Sequence, residues 1–179
     1  MDFKYFLIKA WCRISRKNDD STCEIINRHF RSKGTKIGEN CKIYSNIVTS
    51  EPYLVEVGSD VTISFDVQLL THDNSICKAD ASLTDLFGGI KIGNHCFIGA
   101  KSMILGGVTI GDNVIIGAGS VVTKSIPANS IAAGNPIRIV STMDSFKTKY
   151  YENGFNIEGL SFEEKKKLLV SNQEKLLKK

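Results

Sequence analysis

The groups in this 179-residue chain that could do chemistry are a few histidines, scattered carboxylates and one loop cysteine. Of the three histidines, His72 has the most telling context, Leu69-Leu70-Thr71-His72-Asp73-Asn74, because a regular repeat gives out at that point. A placed imidazole titrates near neutrality, so it can take a proton from a hydroxyl and give it back. His95 falls at a corner of an unbroken repeat, facing solvent, and His29 lies ahead of the repeat. Asp73 and Asp66 could orient the His72 ring, or could equally be carboxylates on solvated corners. Cys77 stands in the same interruption, but nothing beside it in sequence would lower a thiol pKa, which argues against a covalent nucleophile. No metal-ligand spacing is present, and no metal is expected.

The elements that must position His72 are built from a six-residue word. It reads without a break from Ile92 to Pro127, opening at Ile92, Ile98, Ile104, Ile110, Ile116 and Val122. The first residue of each word is aliphatic and points inward. The fifth (Cys96, Ser102, Val108, Val114, Ser120, Ile126) must be compact to share the core. Gly at the second place, with Asn, Asp or Gly nearby, suits a corner through tolerance of positive φ. A six-residue period fits neither a helix nor a two-faced strand; it predicts a parallel β-helix in which three words close one coil. Residues eighteen apart then stack at about 4.8 Å, and each coil depends on its neighbours for its core. Earlier words open at Ile37, Ile43, Val57, Ile63 and Leu69, with a two-residue slip near Glu51-Pro52-Tyr53. The word is lost from Asp73 to Gly89, which reads as a loop thrown out of the stack, where function concentrates.

Composition bounds the rest. The length suits one domain with a substantial core, and a net charge of +4 says little about an anionic partner. Five unpaired-looking cysteines point to reduced thiols and a cytoplasmic setting. The chain has no apolar run of about 20 residues and no signal-peptide pattern, which predicts a soluble protein.

The ends read as helices. Residues 2–31 place Phe3, Phe6, Leu7, Trp11 and Ile14 on one side, with Lys4, Lys9, Arg13, Arg16 and Lys17 interspersed. That segment is expected to cap the open end of the stack; a basic amphipathic helix can also lie on an anionic membrane, giving peripheral contact with its inner face. Ser161-Phe-Glu-Glu164 is a capping box, followed by a Glu163–Lys167 pair and a thin apolar face of Leu168, Leu169, Leu176 and Leu177. The expected organisation is a helical cap over 1–33, the repeat domain over 34–140 with loop 73–89, and a helical tail over 141–179.

The words from Ile37 to Pro127, Thr71-His72-Asp73 at the loop and the finish Ile131-Ala-Ala-Gly-Asn-Pro136-Ile-Arg138 together resemble the hexapeptide-repeat acyltransferases. The likeness covers about residues 34–141 and is nearest the galactoside, maltose and cell-surface polysaccharide O-acetyltransferases. It implies an all-β solenoid with a left-handed turn, and a homotrimer with a site between neighbouring subunits. It also implies acetyl-CoA as acyl donor, lying along the groove between prisms. By position, His72 would be the base and Ala100 would sit near the thioester, with Ala118 along the pantetheine. Thr123, Lys124 and Arg138 would meet the nucleotide end, where cations pair well with phosphate. Asn46, Glu51 and Asp73 would face the acceptor. The chain departs from the galactoside pattern in three places. Its histidine comes two residues early, as in the polysaccharide and lipopolysaccharide enzymes; Phe97 stands where a Trp is frequent; and Ser141 stands where a second basic residue is usual.

The expected reaction is therefore direct acetyl transfer from acetyl-CoA to a sugar hydroxyl, in polysaccharide or lipopolysaccharide synthesis. Two alternatives are N-acetylation of an amino sugar and a non-catalytic trimeric scaffold. No nucleic-acid partner is expected.

Overall fold

The computed structural model describes residues 3–15, 19–47 and 49–178, so part of the expected basic run (Arg16, Lys17) lies outside the described residues. The chain divides into two compact units, Met1–Met143 and Asp144–Lys179. The first opens with α1 (Phe3–Ile14) and α2 (Asp19–Arg31), two helices where the sequence suggests one continuous segment. Short strands follow: β1 (Lys36–Ile37), β2 (Lys42–Ile43), β3 (Val55–Val57), β4 (Thr62–Ile63), β5 (Gln68–Leu70), β6 (His72–Asp73), β7 (Leu86–Phe87) and β8 (Ile90–Ile92). Then come β9 (Phe97–Ile98), β10 (Met103–Leu105), β11 (Thr109–Ile110), β12 (Ile115–Ile116), β13 (Val121–Val122), β14 (Ser130–Ala133) and β15 (Arg138–Thr142).

Successive strands visit three sheets in turn. Sheet I is β1-β3-β8-β11, sheet II is β2-β4-β9-β12-β14 with β15 at its edge, and sheet III is β5-β10-β13. Every pairing within them is parallel except β14 with β15. The predicted eighteen-residue spacing holds where the words are unbroken: Ile92 lies against Ile110, Ile98 against Ile116 and Ile104 against Val122. Elsewhere the spacing records what has been inserted. It is twenty between β1 and β3, because of the slip at Glu51. It is thirty-five between β3 and β8, because the loop adds its whole length to one corner. It is sixteen between β12 and β14, where Ile115 meets Ile131. That last value corrects the sixth word: Ile126 bridges Ile110, so it opens the next coil and is not the fifth residue of its own word.

The core follows the pattern. The six opening aliphatics and the fifth-place residues from Cys96 to Ser120 are all buried. The corners follow a different logic from the one the sequence suggests. Positive φ falls at the fourth place of the words, at Asn40, Asp60, Asp66, His95, Lys101, Gly107, Asn113, Gly119 and Asn129. The second-place glycines have ordinary φ and are required by close approach instead. A Cβ on Gly99 would stand 2.5 Å from the Ala118 amide nitrogen, and one on Gly111 2.6 Å from that of Ala128.

The helices meet the first coil through polar bonds to its carbonyls. Asn27 donates to Cys41 O at 2.7 Å, Arg31 to Ile37 O and Gly38 O at 2.9 and 2.6 Å, and the Tyr5 hydroxyl to Tyr44 O at 2.9 Å. Those carbonyls belong to a coil with no coil before it, and an unpaired main-chain acceptor costs free energy once covered. α1 packs through Tyr5 and Cys12, not through the face expected from sequence: Phe3, Phe6, Leu7, Trp11 and Ile14 are exposed. An apolar stripe on α1 is legible in the sequence; which side faces the protein is not.

The second unit contains most of α3 (Met143–Tyr150) and α4 (Phe162–Val170). The capping box forms, with Glu164 N donating to Ser161 Oγ and Ser161 N to Glu164 Oε2. Glu163 pairs with Lys166 at 3.9 Å in place of the expected Lys167. Leu176 and Leu177 lie beyond the helix, after a 3-10 turn at Gln173–Lys175.

Candidate active site

His72 is set by three constraints. The register of β5 fixes Leu69 in the core and buries Thr71. The loop then leaves as β6, which pairs antiparallel with β7 and puts His72 opposite Phe87, their rings 6.1 Å apart. The Asp73 carboxylate accepts from Ser75 N at 2.8 Å and starts a 3-10 turn over Asn74–Lys78. On the return, Gly88 N donates to Thr71 O. Gly88 lies so close to the next coil that a Cβ there would be 2.4 Å from Gly107 N. Between this ribbon and Leu105–Gly107 runs an open groove of about 600 Å3, with His72, Asn74, Leu86 and Phe87 on its walls.

The carboxylate on the ring is that of Glu51. Its Oε2 accepts from His72 Nδ1 at 2.9 Å and from the Thr71 hydroxyl at 2.6 Å. Thr49 and Thr71 share a short hydroxyl contact, and Glu51 N donates to Thr49 Oγ1. The two-residue slip that the sequence shows as a blemish falls here: the first two coils are twenty apart in sheets I and II, and Glu51, twenty residues before Thr71, bonds to it. The side chain of Glu51 is 12% exposed and that of His72 is 41% exposed, so the acid is held and the ring reaches outward. The hydrogen bonds from Thr71 and then His72 pull the Glu51 carboxyl below its usual range. In return the hydrogen bond and charge of Glu51 raise the His72 pKa. An ionised Glu51 can only accept, so Nδ1 carries the proton and donates it in the hydrogen bond, leaving the lone pair on Nε2. Nε2 has no hydrogen-bond partner among the described residues.

The other expected residues fall elsewhere. His72, Asp73 and Glu51 sit at the corner between sheets III and I. Ala100 and Ala118 stack at the corner between sheets II and III, where Gly119 N donates to Ala100 O. Asn46 lies at that same corner one coil earlier than Asp66, half-buried, with its Oδ1 covered and without a hydrogen bond among the described residues. Thr123 and Lys124 follow β13, and Arg138 opens β15; all three are exposed at the far end of the stack. Ile137 N donates to Val121 O and draws Arg138 toward β13. One chain therefore carries these residues on two corners, with Thr123 and Lys124 one coil beyond Leu105 and Gly106 on the His72 corner and Ala100 and Ala118 on the other. Asp66 is an exposed corner residue, as is His95, which is 3.6 Å from Asp60. His29 is buried in α2. The Cys41 and Cys96 thiols donate to Gly58 O and Gly111 O, and burial pushes both pKa values up. Among the described residues no cluster of His, Cys, Asp and Glu could hold a metal.

The bacterial transferase hexapeptide model (six repeats) matches residues 89–124. Across 147 residues the chain is 42% identical to Protein CapG of Staphylococcus aureus, covering 79% of this chain and 86% of that protein. The chain belongs to the hexapeptide-repeat transferase family. Another relative is the galactoside O-acetyltransferase of Escherichia coli K12, 36% identical over 68% of this chain and 61% of that enzyme. Among solved structures, a hexapeptide-repeat-containing acetyltransferase of Vibrio cholerae O1 biovar eltor, complexed with acetyl coenzyme A, is similar at a TM-score of 0.57. It is 28% identical over 62% of this chain and 61% of that one. The Glu51–Thr71–His72 network rests on the geometry of this chain.

Proposed function

We propose that the protein is an acetyl-CoA-dependent O-acetyltransferase acting on a sugar hydroxyl of a cell-surface polysaccharide or lipopolysaccharide, with His72 as general base. The observation that carries this reading is the His72 ring at a groove, with Nδ1 held by Glu51 and Nε2 open. Nε2 takes the acceptor's hydroxyl proton as the oxygen attacks the thioester carbonyl. The tetrahedral oxyanion is met by a main-chain N–H of the coil near Ala100, a kind of contact that is commonly a large share of catalysis. The C–S bond then breaks, the thiolate takes the proton from Nε2, and the products are the sugar acetate and CoA.

The stack is a left-handed prism capped by residues 1–33, and three copies assemble side by side. Sheet I faces outward with a charged ladder, Lys36–Glu56 at 2.7 Å and Glu56–Lys91 at 3.6 Å. Sheets II and III instead present Lys42, Thr62, Phe97 and Ile115, and Gln68, Met103 and Val121, on their outer faces, which are apolar beyond the first residue or two of each. Apolar outer faces suit burial against another copy. Such an assembly brings the His72 corner of one copy to the Ala100–Ala118 column of the next, which no single chain does. Small side chains on that column leave the main chain open to pantetheine, and Thr123, Lys124 and Arg138 meet the phosphates. Asn46 and Asp73 border the acceptor, while Glu51 serves the ring. The test is CoA-thiol release from acetyl-CoA across free, nucleotide-linked and polymeric sugars, alongside sedimentation. Acetyl esters on a sugar formed by trimers support the reading. Absence of release with every sugar, or full activity in monomers, overturns it.

A further inference from the structure

The α1 stripe is a feature that acetyl transfer leaves unused. Phe3, Leu7, Trp11 and Ile14 are spaced to fall on one side of the helix, and they are 72%, 54%, 53% and 82% exposed. Tyr5 and Cys12, about half a turn away, are buried, so the helix is already held by its other face. Lys4 borders the stripe along one edge and Arg13 along the other, next to Phe6. From Phe3 to Lys17 the sequence has five cations and no carboxylate. At twelve residues α1 is about 18 Å long, too short to cross a hydrocarbon core of about 30 Å. No described helix is long and apolar enough to cross a membrane.

We propose that α1 docks the protein in the plane of an anionic lipid surface, with Phe3, Leu7, Trp11 and Ile14 in the acyl boundary and Lys4 and Arg13 among the headgroups. The pattern suits an interface: an aromatic and aliphatic face bordered by cations. A second copy is the poorer occupant, because a homotypic contact would set two sets of like charges together. The inference does not depend on the acetyl-transfer reading. It would place the enzyme where lipid-borne sugars are presented.

The chain has a single tryptophan, and it lies on the stripe. Trp11 emission should shift to the blue and be quenched by brominated acyl chains on vesicles of phosphatidylcholine with phosphatidylglycerol, and not on phosphatidylcholine alone. Binding should fall as salt rises from 0.1 to 1 M and the screening length drops from about 10 to about 3 Å. The exposed double variant Leu7→Ser with Ile14→Ser should bind at least roughly tenfold more weakly. Lys4→Gln with Arg13→Gln should lose roughly 30-fold on anionic vesicles. Both variants should keep native circular dichroism and full acetyl transfer to a soluble acceptor. The proposal is overturned by equal binding to neutral vesicles, by an unshifted Trp11, or by unchanged binding in the serine variant. It is also overturned if the serine variant abolishes a lipid-free self-association, which would make the stripe a protein interface.

Discussion

Replacing Glu51 separates the two things it does for His72. One oxygen, Oε2, accepts from both Thr71 and His72, so the carbonyl oxygen of Gln can keep both bonds while the charge is lost. Ala removes the bonds and the charge together. With Gln, the acid limb of the kcat/KM profile should move to lower pH, because the carboxylate that raises the His72 pKa is gone. The plateau should fall by less than about tenfold, since the ring stays oriented. With Ala the ring is free to swing, and a lost hydrogen bond to a charged partner corresponds to roughly 10–100-fold on the plateau. His72→Ala sets the floor at roughly 10²–10⁴-fold. The double variant Glu51→Ala with His72→Ala should be no slower than His72→Ala alone, because Glu51 acts through the ring. Stability should respond with a defined sign. The raised His72 pKa helps folding below the unfolded histidine value and is lost as pH climbs through the folded one. The lowered Glu51 pKa helps above the unfolded carboxyl value and is lost as pH falls through the folded one. The Gln variant's deficit should therefore be widest between those unfolded values, on the acid side of the activity optimum. Steady-state rates across pH, with chemical denaturation at matched pH, measure both. An unmoved acid limb in Glu51→Gln, or a double variant slowed by the product of the single effects, would refute the dyad.

Gly88→Ala should push the ribbon off Gly106–Gly107, since its Cβ would meet main chain at 2.4–2.5 Å. Turnover should drop with the melting temperature nearly unchanged, as scanning calorimetry beside the thiol assay would show. Lys124→Ala with Arg138→Ala should raise KM for acetyl-CoA about tenfold or more and leave kcat within about threefold, which initial-rate kinetics would separate. Ile104→Ala, in the fully buried column between Leu69 and Val122, should cost about 2–5 kcal/mol in denaturant titration. Ser161→Ala removes the hydroxyl side of the capping box, leaving the main-chain N–H of residue 161 to Glu164, and should cost the α4 helix about 0.5–2 kcal/mol, seen as faster amide exchange at Phe162–Glu164.

Much of the stack was legible because its rule is local. Each word repeats the same demand for an aliphatic and a compact residue, so Ile92 to Val122 could be stacked from sequence alone. The corners were only half legible: Asn, Asp and Gly at the fourth place announce positive φ, but the second-place glycines answer to the next coil. That approach is a distance in space and leaves no mark within a single word. At the site, the break in the pattern pointed to His72 without naming its partner. Asp73 adjoins it in sequence and turns to Ser75; Glu51 reaches it because an insertion changed the coil spacing. Arithmetic on that slip would have found the pair. The exposed side of α1 was illegible, since either face of that helix is apolar enough to be buried.

β3, β4 and β5 keep their places against β8, β9 and β10 although the intervening coil carries a seventeen-residue detour. The scaffold bonds rung to rung, so it does not feel how far the chain wanders between rungs. Residues 73–89 are thus free to lengthen, shorten or be exchanged for another enzyme's segment, provided the small residue at Gly88 survives. Under the proposed function, acceptor choice can drift over generations on an unchanged frame, with the Ala100–Ala118 column left as it was.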